Sequence, residues 1–116
     1  MSEIKIWHNP RCRKSREGLK YLQEKGIEPK IIDYMKGDFS PAELEAAIKK
    51  AGLSVDEIIR KKEKDYKELG LKNKELSLKE FAELVKQYPK LLERPLVESP
   101  KGVVLARPAE KIEEIL

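Results

Sequence analysis

Residues Ile4–Tyr34 read IKIWHNPRCRKSREGLKYLQEKGIEPKIIDY, and the order of patterns inside them decides the fold. Ile4 to His8 is a short β-rich run closed by Asn9-Pro10. From Cys12 to Lys25, dense helix formers carry Leu19 and Leu22 up to the stop at Gly26. Ile31-Ile32-Asp33-Tyr34, bounded by Pro29 and Gly37, predicts a second strand. Strand, helix and strand in about thirty residues predict a right-handed βαβ unit with parallel strands, because parallel neighbours need a crossover between them.

Downstream, Ser40-Pro41-Ala42-Glu43 is a capping box with proline at the first helical position. Leu44, Ala47, Ile48 and Ala51 then mark one apolar face up to Gly52. Ser54-Val55-Asp56-Glu57 repeats the device for a short helix holding Ile58 and Ile59. Between Arg60 and Asn73 the pattern thins into charge, with Tyr66, Leu69 and Leu71 as inward anchors of a connecting segment. Ser77-Leu78-Lys79-Glu80 starts another capped helix, whose Leu78, Phe81, Ala82, Leu84 and Val85 form a core-facing stripe before Pro89. Leu96-Val97 and Val103-Val104-Leu105, separated by Ser99-Pro100-Lys101-Gly102, predict an antiparallel hairpin. Pro108 opens a last helix with Ile112, Ile115 and Leu116 on its buried side. The sum is an α/β chain of thioredoxin-like order. It has a mixed four-stranded sheet flanked by helices, and a helical insertion lies between the βαβ half and the C-terminal β-hairpin.

Length and composition agree with this reading. The 116 residues suit one domain, spanning 1–116, with a modest core; no repeat, low-complexity tract or linker interrupts them. Charged residues make up 40% of the chain, so the surface is heavily ionised. The net charge of +4 is a mild excess, pointing to an anionic partner rather than to a nucleic-acid surface. The basic run Arg60-Lys61-Lys62 is broken by Glu63 and Asp65, and aromatic residues at 6% are too few for a base-stacking platform. A single cysteine excludes an internal disulfide and a CxxC pair, and a single histidine removes the usual imidazole metal sites. No leader or membrane-spanning pattern appears. The expectation is a soluble, cytoplasmic protein with a reduced thiol and neither bound metal nor bound cofactor.

The chemistry gathers in His8-Asn9-Pro10-Arg11-Cys12-Arg13-Lys14-Ser15-Arg16, which puts the only thiol between a strand's end and a helix's first turn. Unpaired N–H groups, the helix dipole and four nearby cations all favour a thiolate there. His8 either ends the strand and caps a loop or tunes Cys12. Ser15 is either a thiolate donor or a plain hydroxyl. The same N–H array is an anion cradle. A thiol-phosphatase loop, which needs Cys, five residues, then Arg, is excluded because position 18 is Gly. A dithiol relay is excluded because position 15 is Ser, so any disulfide of Cys12 is with another molecule. Arg60, Arg94 and Arg107 each lie beside apolar residues. They are open to two roles, surface ion pairs or bidentate recognition of an oxyanion by a partly desolvated guanidinium.

Three motifs, His8-Asn9-Pro10-x-Cys12-x-x-Ser15-Arg16, Glu93-Arg94-Pro95-Leu96-Val97 and Arg107-Pro108, resemble the signatures of the glutaredoxin-coupled arsenate reductase family of thioredoxin-like proteins. The likeness covers essentially the whole chain and follows the family's order. It is nearest to the short arsenate-reductase-related subgroup, because the chain ends at Leu116, soon after Pro108. Arg11, Arg13 and Lys14 replace the small or neutral residues of longer members. The resemblance implies that Cys12 is the nucleophile, that Arg60, Arg94 and Arg107 bind the oxyanion, and that His8 and Ser15 tune the thiolate. Asn9, Pro10 and Pro95 shape the site, with a cis peptide before Pro95. It also implies glutathione as co-substrate, glutaredoxin as partner and arsenate as substrate. Two further readings are a monothiol glutathione-dependent oxidoreductase and an RNA-polymerase-binding regulator of the same superfamily.

Overall fold

The computed structural model describes residues 3–116. Met1 and Ser2, part of the segment read above as lacking a leader pattern, lie outside them. The chain folds into two compact units, one made of the chain up to Asp38 together with Arg94–Leu116, the other of Phe39–Glu93.

The first unit holds the sheet. Strand β1 (Lys5–His8) leads through a short loop into helix α1 (Arg13–Glu24), which returns the chain to β2 (Lys30–Asp33). After the second unit, β3 (Leu96–Ser99) and β4 (Gly102–Leu105) follow, and a 3-10 helix spans Ala109–Ile115. The sheet order is β2-β1-β3-β4. β1 pairs parallel with β2, Ile6 opposite Ile31 and His8 opposite Asp33, and antiparallel with β3, Ile6 opposite Val97. β3 and β4 form the antiparallel hairpin around the Pro100-Lys101 turn. This is the mixed four-stranded, thioredoxin-like arrangement that the sequence predicts.

Alternation along β1 explains its place at the centre of the sheet. Ile4 and Ile6 point to one face, where they join Leu22, Val97, Ala106, Ile112 and Ile115 in a buried cluster beneath α1 and the last helix. Trp7, on the other face, is fully buried, and its indole N–H donates to Glu98 at 2.6 Å. A helix on one face of a half-apolar strand removes the most apolar surface from water per residue ordered. The last helix is anchored at its end by Ser99, whose hydroxyl donates to the Ile115 carbonyl at 2.5 Å.

The second unit is helical. α2 (Pro41–Ala51) packs on α5 (Leu78–Gln87) through Leu44, Ala47 and Ile48 on one side and Phe81, Ala82 and Val85 on the other. Ser40, Ser54 and Ser77 each accept the N–H of the Glu three residues on, and that Glu accepts the serine's N–H, so all three capping boxes form. Helix α3 (Val55–Ile58) is shorter than the sequence pattern suggests. Ile59 is not helical; it is extended and bridges Leu92 antiparallel, with Arg60 N–H donating to Leu91 O at 2.8 Å and Glu93 N–H to Ile58 O at 2.8 Å. Tertiary pairing has overridden local helix propensity there. The segment read as a connection contains a further short helix, α4 (Lys64–Glu68), and a 3-10 turn at Leu71–Asn73. Of its three anchors Leu71 is buried, while Tyr66 and Leu69 are half-buried.

Candidate active site

The loop from His8 to Cys12 is shaped by its own side chains. Asn9 accepts the Arg11 N–H through Oδ1 at 3.1 Å, and its carbonyl accepts the Cys12 N–H at 2.9 Å. Together they make a tight turn of the kind asparagine favours. Arg16 closes the other side, its Nη1 donating to the Pro10 carbonyl at 3.0 Å. Cys12 thereby takes the N-cap of α1 with extended backbone, φ −98° and ψ 125°, and its carbonyl accepts the Arg16 N–H at 3.0 Å.

A half-buried sulfur sits at this helix start. Burial is the largest single influence on its ionisation and pushes the thiol up. Against burial act the Ser15 N–H, the Arg94 guanidinium as donor and as charge, and the Lys14 N–H. Together these prevail, and the Cys12 thiol is held below its ordinary value. The sulfur makes no capping hydrogen bond of standard geometry, so the two N–H groups act on it as aimed dipoles at the positive end of the helix.

Ser15 is fully buried. Its oxygen accepts the Asn9 N–H at 2.9 Å and lies 2.7 Å from His8 Nδ1. The His8 imidazole is itself buried, and burial, with a smaller push from Arg16, lowers its pKa against the opposing Asp33 charge and the bond to Ser15. The Ser15 oxygen takes the Asn9 N–H and shares one hydrogen bond with the ring, in which Nδ1 accepts or donates according to the imidazole tautomer. Of the two readings of Ser15, thiolate donor or plain hydroxyl, the structure adds that its oxygen is bonded to His8 and to the Asn9 N–H. Ser15 contributes its main-chain N–H, which a residue in the first turn of a helix directs at the N-cap position. Asp33, opposite His8 in the parallel register, was not singled out by sequence reasoning.

Arg94 reaches the sulfur from the start of β3. It is half-buried, and its Nε and Nη1 are buried with no hydrogen-bond partner among the described residues. The Arg94–Pro95 peptide is cis, as the resemblance implies, and so is Arg107–Pro108. Pro95 is buried against α1 at Gly18, where an added Cβ would stand 2.8 Å from the Pro95 Cγ. Gly18 entered the sequence reading only as the residue that rules out a phosphatase loop. Its packing role had no signal beyond glycine's presence in the middle of a helix.

The other two arginines differ. Arg107 is half-buried beyond β4, with its N–H donating to the Leu105 carbonyl at 2.8 Å. Arg60, in the helical unit, pairs through Nη1 with Glu63 Oε1 at 2.6 Å and through Nε with Glu93 Oε1 at 3.2 Å. Of the two roles open to it, ion pairing is the one that Arg60 takes here. The first unit thus brings together Cys12, Ser15, His8, Asn9 and Arg94. Among the described residues, no group of three or more His, Cys, Asp or Glu side chains is arranged to hold a metal, and no helix is long and apolar enough to cross a membrane.

Comparison with known proteins is consistent with this geometry. The model of the ArsC family matches residues 7–115. The arsenate reductase of Rhizobium meliloti is 42% identical over 113 residues, which are 97% of this chain and 81% of that protein. An arsenate reductase of Neisseria meningitidis serogroup B is 41% identical over the full length of both chains. Among solved structures, an arsenate reductase from Vibrio cholerae superposes with a TM-score of 0.89 at 39% identity, covering 98% of each chain.

Proposed function

This chain belongs to the ArsC family, and on that premise we propose that it is an oxidoreductase that reduces arsenate to arsenite, with Cys12 as nucleophile and external thiols as electron source. The observation that carries the reading is the partnership of Cys12 and Arg94. A sulfur held below its ordinary pKa lies beside a guanidinium with two buried nitrogens, Nε and Nη1, that have no acceptor among the described residues. Each such donor forfeits about 1–3 kcal/mol until an oxygen reaches it, so the cluster favours an anion with oxygens to share.

The Cys12 thiolate attacks the arsenic; an S–As bond forms, an As–O bond breaks, and that oxygen leaves as water after protonation. Negative charge on the remaining oxygens is met by Arg94, and by Arg107 as the family pattern assigns it. His8 and Ser15 are positioning residues that tie the loop to the strand end. Glutathione then attacks the adduct and glutaredoxin resolves the mixed species. Overall, arsenic acid and two thiols give arsenous acid, one disulfide and one water, with arsenic reduced by two electrons. No bound cofactor enters the scheme. A single thiol in the chain makes outside thiols obligatory.

The test is arsenate-dependent NADPH oxidation in the presence of glutathione, glutaredoxin and glutathione reductase. Turnover is expected for the native chain, none for Cys12→Ser, and a loss of about 10²-fold for Arg94→Gln. Reduction of glutathione mixed disulfides with no response to arsenate would replace this reading with that of a monothiol oxidoreductase.

A further inference from the structure

We propose that the cleft beside the nucleophile loop, lined by Asn9, Pro10, Arg11, Asp33, Met35 and Lys36, binds the outside thiol as a small zwitterion, Asp33 taking its ammonium and Arg11 and Lys36 its carboxylates. The proposal rests on the thiol-dependent reading above and gives that co-substrate a place in the first unit. Glutathione, with one ammonium and two carboxylates, has the chemistry this cleft recognises.

The cleft, of about 300 Å³, lies past the carboxyl ends of the parallel strands β1 and β2. One wall is the loop that follows His8, and the other is the 3-10 turn Tyr34–Lys36 that follows Asp33. The two strands end level, His8 opposite Asp33, and the chain leaves each by a turn, which opens a crevice where parallel α/β sheets hold their ligands. The same loop leads into Cys12, whose N–H is held by the Asn9 carbonyl at 2.9 Å. A thiol seated against Asn9 and Pro10 therefore lies along the nucleophile's own turn.

The charges in the cleft are unspent. Asp33 is half-buried and forms no ion pair with a described residue, and its Oδ1 is buried without a hydrogen-bond partner among them. The basic residue opposite it in the register, His8, does not neutralise it, because burial favours the uncharged imidazole and Nδ1 is engaged with Ser15. A carboxylate partly stripped of water and left without a cation is stabilised by an ammonium brought to it. Arg11 and Lys36 are exposed, and their side chains bond to no described residue. Pro10 and Met35 add apolar surface suited to the methylenes of a thiol peptide. One negative group beside two positive ones disfavours a simple oxyanion, which Asp33 repels, and a simple amine, which the cations repel. It selects a molecule that bears both signs.

The probe is S-methylglutathione, whose sulfur is blocked, titrated by calorimetry into the full chain, with the same peptide acetylated on its amine as the comparison. The native chain is expected to bind the first and to bind the second about tenfold more weakly, while Asp33→Asn loses about tenfold toward the free amine and nothing further on acetylation. Arg11→Gln and Lys36→Gln together, both at exposed side chains, are expected to loosen the unmodified probe about tenfold, roughly threefold for each charge. No binding by the native chain, equal affinity for the two peptides, or unchanged affinity in the Arg11→Gln and Lys36→Gln variant would each overturn the proposal. Arsenate turnover of the native chain, measured beside it, separates the two ideas. The expected binding series without turnover removes the reductase reading and leaves the thiol cleft standing; turnover with no discrimination between the peptides removes the cleft and leaves the reductase.

Discussion

Replacing Gly18 with alanine tests how closely α1 and the residue after Arg94 are fitted. A methyl at position 18 would stand 2.8 Å from Pro95 Cγ and 3.6 Å from Ile6 Cδ1. Carbon atoms rest at about 3.5–4.0 Å, so the first contact overlaps by roughly 0.7–1.2 Å against a ring whose only freedom is its pucker. Overpacking of this kind costs about 1–3 kcal/mol. Alanine recovers about 0.8–1.0 kcal/mol through its better helix propensity. The net expectation is a destabilisation of about 0–2 kcal/mol, centred near 1, or roughly 3–6 °C in Tm for a chain of this size. Urea unfolding followed by the fluorescence of Trp7, the only tryptophan, measures it directly. Because the strain falls on Pro95, alkylation of Cys12 should slow in the same variant as Arg94 shifts. A variant about 1 kcal/mol more stable than the parent, with thiol reactivity intact, would refute the claim that Pro95 abuts this helix.

Three other outcomes are expected. The pH profile of Cys12 alkylation should lie below that of an ordinary thiol and move up in Arg94→Gln, since the guanidinium favours the thiolate. A lowered folded pKa contributes stability that is complete above the unfolded thiol's value and is lost as pH falls through the folded one, so Arg94→Gln should forfeit that contribution in alkaline but not in acidic urea titrations. Ser15→Ala should cost about 1–3 kcal/mol, because it strands the buried His8 Nδ1 and the Asn9 N–H; a change under about 0.5 kcal/mol would show that neither bond matters. Glu98→Gln should cost about 1 kcal/mol by turning a charge-assisted bond to Trp7 into a neutral one, and should shift the tryptophan emission maximum, with unaltered emission counting against the bond.

The legible parts of this molecule are those written in local chemistry. Ser40, Ser54 and Ser77 announce their helices because each carries a glutamate three residues on, and all three boxes close. The hairpin is legible from Pro100 and Gly102, and the nucleophile loop from a cysteine placed between a β-rich run and a helix. What stayed hidden depends on residues distant in sequence. Ile59 leaves the helix because Leu92 pairs with it across thirty-three positions, and no pattern near Ile59 carries that information. The Ser15 oxygen is bonded to His8 and to the Asn9 N–H, a pairing that spacing alone does not announce. Glu63 stands three residues from Arg60, across a turn, and the sequence pattern shows it only as a break in a basic run. Glu93 belongs to a motif, yet its partner is settled by the bridge.

The Ser15 knot has a consequence for how the loop moves. A single hydroxyl is tied to the last residue of β1 and to the first residue after it, so Asn9 cannot swing without breaking a bond inside the protein. Amide hydrogen exchange at Asn9 should then be as slow as in the strand it follows. A nucleophile mounted on such a bracket meets its target with little rearrangement still to be done, and heat or denaturant should release it only together with the sheet.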